Sequence, residues 1–408
     1  MKPRLRRVLG FWDAVTTGIA AMVGAGIFVV SGIGAGIAGP GVILAFLLAG
    51  IVALFNALST AQLAAAIPAE GAAYEYGRRL ISKRIGFLAG WLFVSSKILE
   101  SAAVALAFGA YAALFIPVEG RIIAALAVMG MACLNVAGIR ATTDASKLMV
   151  GIKLGALALF ASFGAGAVSN SANFRPFMPT GIGGILAASA IVFFAYTGFA
   201  RIATLGEEIR RPREIIPRAI LVSLAITAAT YVIVTAVAIG LLGAAQFSKS
   251  ASPIADAASV LGLPWLVALV VLGAAVATLS VLLADLLAAS RTAFAMARNG
   301  DLPESLSRMR VSNPENSVFA TSAIVMALTL FGSIIQVAAF TSLTILLYYA
   351  VTNASALKLP AKKQLYPRII PYAGLICCLG LTLFLPAEQW LWTFGLLAAG
   401  GVYMLARG

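Results

Sequence analysis

Long apolar runs follow one another along the whole chain, with only short polar segments between them. About 18 apolar residues suffice to cross a ~30 Å hydrocarbon core at 1.5 Å of helical rise per residue. The pattern predicts an all-α polytopic membrane protein with twelve transmembrane helices. We place these spans at residues 12–38, 41–66, 86–115, 121–139, 147–168, 183–207, 217–243, 264–297, 317–335, 338–357, 369–385 and 388–406.

Two of these spans are interrupted at corresponding points of two halves of the chain. The first is broken at Gly24-Ala25-Gly26 and the sixth around Thr197-Gly198. A glycine inside a helix costs about 1 kcal/mol relative to alanine, and backbone groups freed in lipid need partners or a cavity. Paired breaks therefore indicate a binding site near the bilayer midplane, as in secondary transporters. The alternative is that the glycines only permit close helix packing.

Composition and charge set the orientation. The chain is 61% hydrophobic and 11% charged, with a net charge of +14. The positive-inside rule makes the side rich in Lys and Arg cytoplasmic, together with both termini. That side holds Lys2, Arg4, Arg6, Arg7, the 78–84 cluster, Arg140, Lys147, the 210–218 cluster, Arg308, Arg310, Lys358, Lys362, Lys363, Arg368 and Arg407, against Arg121, Arg175 and Lys249 opposite. Such dispersed charge indicates contact with anionic membrane lipids and no nucleic-acid partner.

The sequence lacks the residue combinations that are typical of catalytic and metal sites. The chain has no histidine, which removes the commonest metal ligand and the usual catalytic base. Its three cysteines, Cys133, Cys377 and Cys378, all fall inside predicted helices and show no zinc-ligand spacing. We therefore expect no metal, no cofactor and no enzymatic activity.

Several short motifs occur in one order along the chain. They are Gly24-Ala25-Gly26-Ile27-Phe28, Pro68 to Tyr76, Phe193 to Phe199, Gly206 to Pro212, Ile216 to Ala219, Ser290-Arg291 and Ala295 to Pro303. This order resembles the amino acid-polyamine-organocation (APC) superfamily of permeases over essentially the whole chain. The resemblance implies a LeuT-like fold with two inverted repeats of five helices, broken helices one and six, and two peripheral helices. The expected divisions are residues 1–168, 169–360 and 361–408.

The backbone of the first break predicts a carboxylate-binding site, and this prediction does not depend on the family. Its freed N–H groups face the positive end of the following half-helix, which favours a carboxylate. Carbonyls around both breaks are expected to accept hydrogen bonds from an ammonium, and the resemblance implies that one aromatic side chain of helix six caps the substrate. The predicted substrate-binding residues are Ala20, Ala21, Met22, Gly24, Ala25, Gly26, Phe193, Phe194, Ala195 and Tyr196.

Lys153 lies inside the fifth span, where a charge is costly and is by default a functional candidate. The resemblance implies that its ammonium lies between helices one and eight in the place of a sodium ion. Counting back along helix eight puts Thr278 and Ser280 near it. We hypothesise proton coupling through Lys153; the alternative is a lysine that extends to the cytoplasmic interface.

Helices three, six and eight carry further buried charge. Lys97 and Glu100, three residues apart, share one helix face and can neutralise each other. The sequence leaves three roles open for this pair: a structural ion pair, part of the substrate pocket, or part of a proton path. For the second role, Glu100 is the predicted substrate-binding residue. Arg201 stands close to where many relatives have an acidic residue, and is expected either to form a cytoplasmic gate with Glu207, Asp285 or Glu100, or a simple structural salt bridge.

Together these observations predict a secondary active transporter that moves amino acids across the cytoplasmic (inner or plasma) membrane by alternating access, coupled to protons. The alternatives are an amino acid exchanger, a transporter of amines or polyamines, and, from another class, a membrane amino acid sensor. The expected partners are the substrate, a proton and membrane lipids, with the protein a monomer or weak homodimer.

Overall fold

The computed structural model describes residues 7–24, 26–68, 71–113, 117–168, 171–250, 252–309, 314–331 and 334–407, and over these residues the chain is helical apart from turns and one isolated β-bridge. The helices are α1 Phe11–Met22, α2 Ser31–Ala38, α3 Val42–Ala66, α4 Ala73–Leu80, α5 Lys83–Ala112, α6 Gly120–Val136, α7 Ile139–Ala167, α8 Gly181–Val192, α9 Ala200–Thr204, α10 Pro212–Leu242, α11 Ala244–Lys249, α12 Pro253–Ser259, α13 Pro264–Arg298, α14 Glu315–Phe331, α15 Ile334–Leu357, α16 Ile369–Thr382 and α17 Ala387–Arg407.

Within the described residues, seven segments are long and apolar enough to cross a membrane. The bent pair α16 and α17, whose axes differ by 115°, makes an eighth if it is counted as one span. The first segment, Phe11–Ala66, has 56 residues and includes α1, α2 and α3. The chain is therefore a helical, multi-pass membrane protein.

The corner between α2 and α3 explains how so long a segment folds back. Residues Gly39–Gly41 form a single 3₁₀ turn, and Gly39 has φ of +61°. A Cβ atom at this position would also lie 2.6 Å from Pro179. Glycine is required here both by the backbone conformation and by the close neighbour.

Helix α7 differs from its predicted bounds. We expected the fifth span to begin at residue 147, but the helix begins at Ile139. Its first three turns carry Asp144 and Lys147 on the surface, where charged side chains do not interrupt a helix. As a result, Lys153 lies near the middle of a 29-residue helix and not close to its end.

Helix α1 lies at the centre of the fold and packs against α7, α10 and α13, and against the short 3₁₀ segment that follows α8. Its first turn is fixed locally, since the carboxylate of Asp13 accepts a hydrogen bond of 2.8 Å from the backbone N–H of Gly10. Eight of the twelve residues of α1 are buried, including every residue from Thr17 to Met22. This arrangement brings side chains from several helices to the end of α1, where the first break lies.

Candidate functional site

The first break separates α1 from a short π-helical segment, Gly26–Val30. Val23 has an extended conformation, and its N–H makes the last hydrogen bond of α1, to the carbonyl of Ile19. Within the described part of the chain, the N–H groups of Gly24 and Gly26 donate to no acceptor. Ala25, the third member of the expected anion-binding segment, lies outside the described residues.

The second break is the 3₁₀ segment Phe193–Phe199, which joins α8 to α9. A Cβ atom on Gly198 would lie 2.4 Å from the backbone carbon of Ala21 and 2.6 Å from the backbone nitrogen of Met22. A Cβ atom on Gly26 would lie 2.4 Å from Cβ of Ala195. The two breaks are therefore in direct backbone contact, and most of the predicted substrate-binding residues are brought together there.

Lys153 reaches the broken end of α1. Its Nζ atom donates to the carbonyl oxygens of Ala20, at 3.0 Å, and Val23, at 2.5 Å, and to Oγ of Ser280, at 2.8 Å. An ammonium has three N–H donors, and here it meets three acceptors. Lys153 is fully buried, so the alternative that it extends to the interface is wrong. Thr278 is not among the acceptors of Lys153, and its own hydroxyl donates to the carbonyl of Ala275.

Two tyrosines that we did not predict bind the backbone of the breaks. The hydroxyl oxygen of Tyr231 lies 2.5 Å from the carbonyl oxygen of Met22 and 2.9 Å from that of Ala195, and so joins the two breaks. The hydroxyl of Tyr349 donates to the carbonyl of Thr197 at 2.9 Å. A tyrosine inside an apolar span indicates such a role, since a buried hydroxyl needs a partner.

The expectation that these carbonyls are free for a substrate ammonium needs correction. Ala20 accepts from Lys153 and Ser280, while Met22 and Ala195 are engaged by Tyr231. The carbonyl of Phe194, inside the 3₁₀ segment, accepts a hydrogen bond from the hydroxyl of Thr197. A carbonyl oxygen has two lone pairs, so Met22 keeps one acceptor position beside Tyr231.

The aromatic residues of the second break pack mainly against other rings. Tyr196 donates its hydroxyl to the carbonyl of Phe46 at 3.0 Å, and its ring meets that of Tyr231 edge-on with centroids 5.1 Å apart. Phe193 meets Tyr349 edge-on at 5.9 Å. Phe194 keeps 8% of its surface exposed, more than any other aromatic residue of this segment.

Lys97 binds two carboxylates. The predicted pair with Glu100 is present, with 2.5 Å between Nζ and Oε2. Nζ also lies 3.1 Å from Oδ1 of Asp285 on α13, a contact that the sequence did not indicate. All three side chains are at most 4% exposed. The cluster therefore links α5 to α13 inside the protein.

In this structure, Arg201 forms none of the ion pairs that the sequence led us to expect, with Glu207, Asp285 or Glu100. It is 3% exposed, and its Nε and Nη1 atoms have no hydrogen-bond partner within the described residues. Its expected partner Glu207 instead pairs with Arg298 at 2.8 Å, and Asp285 pairs with Lys97.

The comparisons with known proteins agree with the helical, membrane-spanning chain. A family model described as "Amino acid permease" matches residues 13–400. An uncharacterized transporter of Mycobacterium tuberculosis is 40% identical over 389 residues, covering 94% of this chain and 88% of the relative. The branched-chain amino acid permease of Bacillus subtilis is 30% identical over 93% of this chain and 88% of its own length. The mitochondrial cationic amino acid transporter 3 of Arabidopsis thaliana is 29% identical over 87% of this chain and 62% of its own length.

Proposed function

The chain belongs to the amino acid permease family of the APC superfamily, and from that premise we propose that it is a proton-coupled secondary active transporter of amino acids. It works by alternating access in the cytoplasmic membrane, with both termini in the cytoplasm. In this proposal, twelve spans form a LeuT-like fold: two inverted repeats, residues 1–168 and 169–360, and two peripheral helices. Family membership and the transporter names of the relatives support the coarser conclusion, amino acid transport.

The observation that carries the proposal is the contact of Lys153 with the broken end of α1. Its ammonium neutralises the negative end of that helix and donates hydrogen bonds to the carbonyls of Ala20 and Val23. A neutral amine has only two N–H donors, so loss of the proton removes both the charge and one of the three hydrogen bonds. Protonation of Lys153 thus decides how firmly α1 is held against α7 and α13.

The same break provides a place for the substrate. The unoccupied N–H groups of Gly24 and Gly26 stand at the start of the next half-helix, where a carboxylate is favoured. The carbonyl of Met22 retains an acceptor position for the substrate ammonium. Substrate and proton then act on opposite sides of one helix end, which is how binding of one affects the other.

Arg201 and Asp285 have a gating role in this proposal. Both side chains are buried, and Arg201 has N–H groups without an acceptor in the described structure, while Oδ2 of Asp285 has no donor. In a second conformation, a movement of α9 relative to α13 would join these groups. Such a movement is the rocking of one helix bundle against the other that alternating access requires.

Uptake into proteoliposomes tests the proposal. Radiolabelled amino acids are offered with an inward proton gradient, a sodium gradient, neither, or unlabelled amino acid inside. Accumulation that needs the proton gradient is the expected result. Accumulation with sodium alone would contradict proton coupling, and flux only against internal amino acid would indicate an exchanger. Uptake of amines or polyamines in place of amino acids, or binding without flux as in a sensor, would contradict the proposed substrate or transport.

Replacing Lys153 tests the coupling directly. In Lys153→Ala we expect uptake to lose its dependence on the proton gradient, because the titrating ammonium at the end of α1 is gone. Lys358→Ala, at an exposed position, serves as the control and should keep the dependence. An unchanged pH dependence of uptake in Lys153→Ala would refute the role of Lys153.

A further inference from the structure

The side-chain class of the substrate is not decided by the relatives, whose names include both a branched-chain and a cationic amino acid transporter. The Lys97 cluster bears on this question. It consists of Lys97, Glu100 and Asp285, and the ammonium of Lys97 contacts both carboxylates. In a buried cluster each ion needs a counter-ion nearby, since an unpaired charge in the interior is strongly destabilising.

The charges around this cluster balance. The guanidinium of Arg201 is close enough to Asp285 for the two charges to interact. With both bases and both acids ionised, Lys97 and Arg201 offset Glu100 and Asp285, and the sum is zero. Nearby, Glu208 and Arg291 form a further buried pair, with 3.0 Å between Oε1 and Nη2, which adds no net charge. The charges of this neighbourhood therefore balance, and an added cation would be in excess.

The cluster lies beside the two breaks. On α13, Asp285 follows Ser280 by five residues, and Ser280 donates to the carbonyl of Ala20 at the first break. On α5, two turns before Glu100, the ring of Phe93 stacks on Tyr348, which in turn meets Tyr349 at the second break. Glu100 is thus a buried carboxylate of the kind that pairs with the charged end of a basic side chain. That acidic group already has its ammonium, donated from one helical turn earlier on the same helix.

We propose that Lys97 determines substrate specificity: its ammonium occupies the place at Glu100 that the charged end of a lysine or arginine side chain would take. The transporter then accepts amino acids with uncharged side chains and rejects cationic ones. This proposal rests on the proposed amino acid transport and adds the class of the substrate to it. A basic side chain at this point would bring an unpaired cation into a buried, already neutral cluster, and would lose its hydration without gaining a partner.

Counting charges gives a distinct expectation for each variant. Lys97→Met leaves the cluster with one excess negative charge, which a cationic substrate can neutralise. The double variant Lys97→Met/Glu100→Gln returns the sum to zero. Glu100→Gln alone leaves one excess positive charge and should reject cations more strongly. Lys358→Met makes the same chemical change at an exposed site and is the matched control.

The experiment measures the uptake ratio of lysine to norleucine in proteoliposomes under the gradient that drives wild-type transport. Norleucine has a straight uncharged side chain, so the ratio reports the charge. We expect wild type and Lys358→Met to prefer norleucine. In Lys97→Met the ratio should rise by about ten-fold or more, and in the double variant it should fall back. Size-exclusion chromatography checks that each variant is folded. If Lys97→Met does not fold, Lys97→Ser replaces it in the same experiment.

The outcomes separate this inference from the proposed function. Wild type that takes up lysine as well as norleucine overturns the role of Lys97, and so does a folded Lys97 variant with an unchanged ratio. If wild type neither accumulates nor exchanges any amino acid, the proposed function itself fails. A raised ratio in Lys97→Met that is reversed in the double variant supports the inference.

Discussion

Gly198 shows how closely two backbone segments approach at the centre of this protein. Its Cα faces the peptide group between Ala21 and Met22, and the space for a methyl group is occupied by backbone atoms. Backbone cannot move aside as the end of a flexible side chain can. The glycine is therefore needed for the contact between the two breaks, and the contact in turn positions the groups proposed to bind substrate.

We expect Gly198→Ala to abolish uptake, because the added methyl would lie 2.4 Å from a backbone carbon of α1 and would force the breaks apart. Gly183→Ala on α8 is the control, since a Cβ there would meet nothing within 4 Å. Uptake by proteoliposomes containing equal amounts of each purified protein is the measurement. Gly198→Ala with wild-type uptake would show that the backbone contact is dispensable.

At the scale of the secondary-structure element, α1 ends in the protein interior without the usual solvent around its last carbonyls. Donors from three other helices take the place of water: Lys153 from α7, Tyr231 from α10 and Ser280 from α13. Each buried carbonyl left without a donor would cost about 1–3 kcal/mol. The end of α1 therefore depends on side chains from elsewhere in the fold.

Tyr231→Phe removes a hydroxyl that contacts both breaks while keeping the ring. We expect a lower thermal midpoint of the detergent-purified protein and a fall in uptake of roughly five- to thirty-fold, as a loss of one to two kcal/mol implies. Tyr372→Phe removes a hydroxyl from an exposed ring and should change neither property. Equal behaviour of the two variants would contradict the bridging role of Tyr231.

At the scale of the whole molecule, one end of the helix bundle is closed by contacts between distant parts of the chain. The N–H groups of Val8 and Leu9 donate to the carbonyl of Glu208, and Leu9 forms a β-bridge with Ile209. The side chain of Glu208 then pairs with Arg291 of α13, and both are buried. A single short segment thus ties the start of α1 and the end of α13 together.

Glu208→Gln should destabilise the protein strongly. The arginine at this position would be left as a buried cation with no carboxylate, a change that typically costs about 3–5 kcal/mol. Glu214→Gln breaks an exposed pair with Arg211 and should have little effect, because water screens such pairs. Thermal unfolding in detergent, followed by tryptophan fluorescence, compares the two. Similar midpoints would show that the buried pair does not hold this end closed.

Much of the helical pattern was predictable from the sequence, because it depends on local properties. Apolar runs and prolines set the bounds of helices such as α13, predicted at 264–297 and observed as Pro264–Arg298. The glycines marked the first break, where the regular helix ends at Met22. The start of α7 was misplaced because polar residues on a helical surface look like a loop in a hydropathy pattern. The division into inverted repeats stays a prediction.

The site was predictable in its backbone and in two side-chain contacts, those of Lys153 with Ser280 and of Lys97 with Glu100. Ser280 and Thr278 looked equally close to Lys153, but two residues turn a helix through about 200°, so only one of them faces it. The contact of Lys97 with Asp285 joins positions far apart in sequence, and the hydroxyl of Tyr231 meets the breaks from another helix. The sequence by itself determined the membrane helices and the position of the first break, since hydrophobic length and glycine content act locally. Only the tertiary structure decided which donor fills each freed carbonyl and which cation neutralises each buried carboxylate, because these pairings depend on how the helices are rotated and packed against one another.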